Sequence, residues 1–78
     1  MTSLKTMHER IKRRRELLGL TQQEVADQCG VLSLQVSRWE RKISKPRQET
    51  LERLAGALDV DVRWLAFGGE DLSPNEAA

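Results

Sequence analysis

The chain has 78 residues with a formal net charge of +1, a single cysteine and 38% hydrophobic residues. This length suits one domain near the lower size limit for a core held without disulfides, and one cysteine excludes an internal disulfide framework. No apolar run approaches the roughly 20 residues of a membrane-spanning helix, and the first residues lack the apolar block of a signal peptide. We therefore expect a soluble, cytoplasmic protein.

The charges are distributed unevenly along the chain. Residues 1–47 contain 11 Lys and Arg against 5 Asp and Glu, whereas residues 48–78 contain 2 against 7. The sequence pI of about 7.9 is below the value usual for proteins that bind nucleic acid. A basic half joined to an acidic half nevertheless predicts one surface that faces a polyanion and another that faces away from it.

The first predicted element is a helix from Thr6 to Leu18. Its residues Met7, Ile11 and Leu18 are spaced by four and seven positions, which predicts that they share one inward face. The four cations at 12–15 would ordinarily form a solvated helix face. Arg15 is different, because it follows Ile11 by four residues and so lies on the inward side, where an unpaired charge is costly.

The second predicted helix follows a capping signal. Thr21 and Glu24 have the three-residue spacing of a capping box, in which each side chain bonds the backbone of the other residue. Val25 and Cys29 then share one helical face, which favours core packing for the isolated thiol. Gly30 is expected to end the helix in a left-handed conformation.

A third helix is predicted directly after this turn, with Val36 and Trp39 facing inward. Its remaining side chains are hydrogen-bonding or cationic for the most part. Those that point outward are Ser33, Leu34, Ser37, Arg38 and Arg41. Two helices joined by a glycine-bearing turn, with such a surface on the second, are typical of the helix-turn-helix that reads the DNA major groove.

Two further helices complete the prediction. The fourth runs from Arg47 or Gln48 to Leu58, and the fifth begins after the capping residue Asp61 and ends near Phe67. The buried face of the fourth is expected to hold Leu51, Leu54, Ala55 and Leu58, and the fifth is expected to bury Trp64 and Leu65. The fold class is therefore all-α, a compact five-helix bundle.

The chain divides into three parts. Residues 1–5 lack periodicity and are predicted to be a flexible arm, and residues 6–68 form the helical domain. Residues 69–78 are acidic and have no apolar face, which predicts a disordered tail.

Several segments resemble, in order, those of the phage repressor and Cro-like (XRE-type) helix-turn-helix transcription regulators. They are IKRRRELLGLTQQEVA, SRWER, a loop that ends in Pro46, and LERLAGALDVDVRWL, and the resemblance covers about residues 7–68. It implies a lambda-repressor-like domain that binds a double-stranded DNA operator and acts without a cofactor.

The resemblance also implies roles for individual residues. The base-reading positions are matched by Ser33, Leu34, Ser37 and Arg38, and Gln22 matches a position that contacts a phosphate. Further phosphate candidates, expected on both rims of the third helix, are Thr21, Arg41, Ser44, Lys45 and Arg47. Arg38 suits guanine, whose O6 and N7 a guanidinium can bind together, and Leu34 can pack on a thymine methyl group. Arg47 resembles the residue that reaches toward the minor groove between half-sites. Arg38, Lys45 and Arg47 could instead be ordinary surface charges.

Three more expectations come from the family pattern. Glu40 matches the residue that pairs with the arginine found at Arg15, which predicts a structural ion pair. Lys42 stands where the family usually has glycine, so this turn is either strained or differently shaped. Position 32, where the family favours Ser or Thr as a cap, holds Leu32, and Ser33 could therefore cap the helix instead of reading a base.

No enzymatic or metal-binding pattern is present in the sequence. His8 has no ligand or nucleophile at a meaningful spacing, and there is no paired-carboxylate arrangement, phosphate loop or metal-ligand set. A surface or partly buried role is the favoured interpretation of this histidine. We therefore expect a protein that is not an enzyme.

The leading function is a sequence-specific DNA-binding transcription regulator, most simply a repressor, that binds a palindromic operator as a two-fold homodimer. The expected interface lies around residues 58–62, with Val62 or Phe67 exposed, although these residues could simply be core. A mobile-element repressor, a restriction-system controller and an antitoxin all fit, and the chain could be part of a longer regulator. The alternative is a protein-interaction module that uses the exposed Leu32 and Leu34.

Overall fold

The computed structural model describes residues 6–74, which are helical throughout apart from the connecting turns. The five α-helices are α1 (Met7–Leu17), α2 (Gln22–Cys29), α3 (Ser33–Glu40), α4 (Gln48–Leu58) and α5 (Val62–Phe67), and a 3-10 turn (Glu70–Leu72) follows them. The five-helix prediction is confirmed. The predicted arm, residues 1–5, lies outside the described residues. Within residues 6–74, no helix has the length and apolar character needed to cross a membrane.

The core lies where all five helices meet. Its fully buried side chains include Ile11 of α1, Val36 of α3 and Leu65 of α5. The predicted inward residues of α4 and α5 are all buried, namely Leu51, Leu54, Ala55, Leu58, Trp64 and Leu65. Burying a large aliphatic side chain contributes about 1.5–3 kcal/mol, so substitutions at these positions should destabilise the fold.

The end of α1 differs from the prediction at one position. Leu18 was expected to face inward, but 39% of its surface is exposed. The helix ends at Leu17, and the chain turns through Gly19, whose φ is +69°. Leu20, beyond the turn, packs against the core in its place.

Two arginines of α1 are buried and bind the ends of other helices. Arg14 Nε donates to the Leu58 carbonyl at 2.8 Å, and Arg10 Nε donates to the Leu65 carbonyl at 3.0 Å. These carbonyls lie in the last turns of α4 and α5, where backbone acceptors lack partners within the helix and the dipole favours a cation. The solvated-face interpretation of residues 12–15 is therefore wrong for Arg14.

Residues 69–74 also depart from the prediction of a disordered tail. They contain the 3-10 turn, and Leu72 packs against the core. The chain enters this segment through Gly68, whose φ is +80° and where a Cβ atom would lie 3.2 Å from Arg10 Nη1. The segment therefore has an apolar contact with the bundle, through the partly buried Leu72. Residues 75–78 lie outside the described part.

Candidate nucleic-acid interface

The start of α2 is fixed by the predicted capping box. The Thr21 hydroxyl accepts the Glu24 N–H at 3.0 Å, and the Glu24 carboxylate accepts the Thr21 N–H at 2.9 Å. The helix ends at Gly30, whose φ is +72°. These local bonds set both ends of α2 and place Gln22 in its first turn.

The buried residues of α3 determine which of its other residues face solvent. Val36 is fully buried, and Trp39 is 4% exposed. Because a helix repeats every 3.6 residues, anchoring these two side chains turns the opposite face outward. There, Leu34 and Arg38 are exposed, and Ser33, Ser37 and Arg41 surround them with partial or full exposure. The side chains with predicted base-reading roles therefore share one accessible face.

Arg41 folds back along this face. Its Nε donates to the Ser37 hydroxyl at 3.1 Å. Arg41, a predicted phosphate ligand, is therefore in direct contact with Ser37, a predicted base-reading residue. The hydroxyl of Ser37 can still donate outward while it accepts this bond.

The predicted ion pair between Arg15 and Glu40 is present. Arg15 Nε lies 2.6 Å from Glu40 Oε2, and Arg15 Nη2 donates to Glu40 Oε1 at 2.9 Å. The two side chains are 14% and 4% exposed. The hydrogen bond that Arg15 donates to Glu40 raises the pKa of Arg15 against the opposing effect of burial. This bidentate pair joins α1 to the last residue of α3.

The same carboxylate reaches α2. Gln22 Nε2 donates to Glu40 Oε1 at 3.2 Å, and Arg15 Nη1 donates to the Leu20 carbonyl at 2.9 Å. One amide hydrogen of Gln22 is therefore engaged within the protein. Its side-chain nitrogen carries a second hydrogen that can bind an anion.

The sequence left open whether the turn at Lys42, between α3 and α4, is strained or differently shaped, and the structure shows the strained form. Lys42 has a left-handed φ of +62°. The next residue's N–H, that of Ile43, donates to the Arg38 carbonyl at 2.9 Å and closes the end of α3. Ser44, Lys45 and Arg47 follow, and all three are exposed.

Cys29 and His8 lie where the sequence predicted, the first in the core and the second partly buried. Cys29 is fully buried, and burial raises the pKa of its thiol while Arg53 partly opposes that shift. His8 is half-buried on α1. Among residues 6–74, no group of three or more His, Cys, Asp and Glu residues is placed to hold a metal ion.

The expected dimer region is only partly accessible. Leu58 is fully buried, so the expectation that it contributes to an interface is wrong for this side chain, which the α4 stripe directs into the core. Val62 is half-buried against the core, whereas Phe67 is 85% exposed. An aromatic residue with so much exposed surface is a candidate contact residue.

The chain matches known proteins over most of its length. The model of a helix-turn-helix family matches residues 11–65. The HTH-type transcriptional regulator DicA of Escherichia coli K12 is 38% identical over 69 residues, which cover 88% of this chain and 51% of DicA. The chain therefore spans about half the length of this curated relative.

Two solved structures show the same fold. The P22 c2 repressor bound to the synthetic operator 9T is 34% identical, with a TM-score of 0.79 over 82% of this chain and 97% of that chain. The biofilm master regulator SinR, solved in complex with DNA, is 33% identical, with a TM-score of 0.71 over 77% of this chain and 97% of that chain. The chain belongs to the helix-turn-helix family of phage repressor and Cro-like (XRE-type) transcription regulators, a family of DNA-binding proteins and not of enzymes.

Proposed function

We propose that this chain is a sequence-specific double-stranded DNA-binding transcription regulator, most simply a repressor, that reads the major groove with α3. The observation that carries the proposal is the outward face of α3, held by the buried Val36 and Trp39. The P22 c2 repressor and SinR, both similar in fold and sequence, have been solved with DNA. The major groove is wide enough to admit an α-helix.

Four side chains of α3 contact the bases. Arg38 binds guanine through O6 and N7, and Leu34, 49% exposed, packs on a thymine methyl group. Ser33 and Ser37 supply hydroxyl groups that can bond either base type. Direct contacts of this kind give selectivity, because each base pair presents a distinct pattern in the major groove.

Phosphate contacts supply the affinity and orient the protein on the duplex. On one side of α3, Thr21 and Gln22 stand at the start of α2, where free N–H groups and the helix dipole favour an anion. We place a second group on the other side, formed by the exposed residues Arg41, Ser44, Lys45 and Arg47. Two rims around one recognition helix allow it to bind both strands that border the groove.

The proposed functional unit is a two-fold homodimer on a palindromic operator. Two recognition helices about 34 Å apart then enter successive major-groove faces, and Arg47 of each copy reaches toward the minor groove between the half-sites. Phe67 and Val62 are the proposed contacts between copies. One exposed aromatic residue per copy buries far less than the roughly 1,200 Å² of a stable interface, so these two residues by themselves hold the copies together only weakly.

Selection from a random duplex library, followed by sequencing of the retained duplexes, tests the proposal. We expect a palindrome with half-sites one helical turn apart. Affinity for that duplex should fall with salt with a log–log slope of about 0.9 for each phosphate contacted.

Equal affinity for every duplex would contradict the proposal. It would favour the protein-interaction alternative, which uses Leu32, 71% exposed at the start of α3. Substitution Leu32→Ala separates the two functions, since it should leave operator binding nearly unchanged if α3 reads DNA through the residues that follow.

A further inference from the structure

A cavity of about 370 Å³ lies between the start of α1, the α3–α4 loop and the end of α5. Its volume falls within the range of roughly 300–1,000 Å³ that is usual for small-ligand sites. Its apolar walls are formed by Met7, Ile11, Trp39, Pro46, Ala66 and Phe67. Two aromatic rings in these walls favour a ligand with a flat apolar body.

The charged side chains that line this cavity are all cationic, and the Glu9 carboxylate outside the lining is engaged by the Thr6 hydroxyl at 2.6 Å. His8, Arg10, Lys42 and Lys45 line it together with the hydroxyl residues Thr6 and Ser44, and no Asp or Glu is among the lining residues within the described chain. Lys42 and Lys45 are exposed and can turn toward a ligand, whereas Arg10 is held on the carbonyls of Leu65 and Ala66. The complementary ligand is therefore an anion.

Two side chains at the cavity, a cation and an aromatic ring, lie in positions that are unfavourable for the domain without a ligand. Lys42 adopts a left-handed φ of +62°, which glycine would adopt without strain. Phe67 leaves 85% of its surface exposed beside the cavity. A bound ligand with an apolar body and an acid group would use both side chains.

We propose that this cavity binds a small organic anion, an aromatic body that carries a carboxylate or sulfonate group, and that the bound anion opposes DNA binding. The second part rests on the proposed function. Ser44 and Lys45 line the cavity and are also proposed phosphate ligands. An acid group bound beside Lys45 competes with a DNA phosphate for the same cation, and Phe67 is withdrawn from the contact between copies.

The first experiment measures binding of 8-anilinonaphthalene-1-sulfonate to the whole chain by calorimetry, with the neutral N-phenyl-1-naphthylamine as the matched probe. We expect one site and about fivefold tighter binding of the sulfonate, since exposed ion pairs are individually weak. Equal affinity for the two probes would overturn the assignment of an anion site.

Surface variants locate that site. Phe67→Ala should weaken sulfonate binding about tenfold, and Lys42→Gln about threefold. The control variants are Ile43→Ala, at an exposed apolar residue, and Lys12→Gln, at an exposed cation. Neither residue lines the cavity, so both variants should bind the sulfonate like the parent chain. All four positions are exposed, so folding is preserved and is checked by circular dichroism. Loss of binding in the controls, or none in Phe67→Ala, overturns the location.

The last experiment measures the coupling to DNA. Saturating sulfonate should weaken operator binding about tenfold, and by linkage the operator must weaken sulfonate binding by the same factor. Operator affinity without the probe tests the proposed function separately. If operator affinity is unchanged under saturating sulfonate, the bound anion does not oppose DNA binding and that part of the proposal is overturned. If an acidic aromatic peptide binds in place of the sulfonate, the cavity is a protein-docking face instead.

Discussion

At the start of α2, Thr21 and Glu24 exchange hydrogen bonds with each other's backbone. At the start of α3, the N-cap position holds Leu32, whose side chain cannot accept such a bond, and only Gln35 Oε1 contributes, by accepting the Leu32 N–H at 3.0 Å. The first helix of the pair is therefore specified by adjacent residues. The second is held mainly by contacts with distant parts of the chain, through Trp39 and the Glu40 pair.

This difference matters for function, because α3 is the helix proposed to enter the groove. A helix of eight residues is too short to be stable alone. Its position therefore depends on its buried side chains and on the Arg15–Glu40 ion pair. Changes at these tertiary contacts should displace the recognition surface more than changes at its own first turn.

The largest expected effect is loss of the buried ion pair. Arg15→Ala leaves the Glu40 carboxylate buried without its partner and should lower the free energy of unfolding by about 3–5 kcal/mol in a urea titration. Arg63→Ala is the matched control, because it removes an arginine from an exposed pair with Asp61 and should change stability little. A loss well under 1 kcal/mol in Arg15→Ala would mean that α3 is held without this pair.

The second prediction separates base reading from phosphate binding. Arg38→Ala should cost about 1–3 kcal/mol of operator affinity and relax selectivity at one base pair. Gln22→Ala should weaken binding to all duplexes alike and leave the salt slope unchanged, because a neutral amide releases no counterion. Gel-shift titrations against single-base operator variants at two salt concentrations distinguish the two patterns. A uniform loss in Arg38→Ala would remove this residue from the base-reading set.

The third prediction tests the caps themselves. Thr21→Ala should lower the free energy of unfolding by about 1 kcal/mol, whereas Leu32→Ser, which supplies the missing cap, should raise it by about 0.5–1 kcal/mol. Urea titrations of both variants measure the pair of effects. If Leu32→Ser were destabilising, the leucine would contribute packing that its 71% exposure does not indicate.

The same division between local and distant contacts explains what the sequence could predict. Capping at Thr21 and Asp61, the left-handed end at Gly30 and the apolar stripe of α4 depend on residues a few positions apart, and all are present. Arg10 and Arg14 bind carbonyls at 58, 59, 65 and 66, and no local pattern reveals these partners. The inward direction of Arg14 alone could be inferred from the sequence, because Arg14 follows Ile11 by three residues.

The candidate interface divides in the same way. Outward exposure of Ser33, Ser37 and Arg38 follows from helical periodicity once Val36 and Trp39 are known to face inward. The Arg15–Glu40 pairing came from the family resemblance and not from spacing. The cavity beside Phe67 could not be anticipated, because its walls come from four separate parts of the chain.

The smallest expected effect concerns α5, which, like α2, has a local cap. Asp61 Oδ1 accepts the Arg63 N–H at 2.8 Å, and its carboxylate also pairs with the Arg63 guanidinium. Hydrogen bonds from the Arg63 side chain and then from its backbone lower the pKa of Asp61 to about 2 from the ordinary 3.8. Because this pKa is depressed in the folded protein, the carboxylate stabilises the fold above pH 3.8, and that contribution is lost as the pH falls toward 2.

Asp61→Asn should therefore flatten part of the fall in thermal midpoint between pH 5 and pH 2. An asparagine can still cap the helix but does not titrate, so stability at neutral pH should change little. Arg63→Ala removes the first cause of the shift and should move the acid-induced fall toward higher pH. If both variants followed the parent chain's pH profile, Asp61 would not contribute to acid unfolding, and α5 would be held, as α3 is, by its buried Trp64 and Leu65.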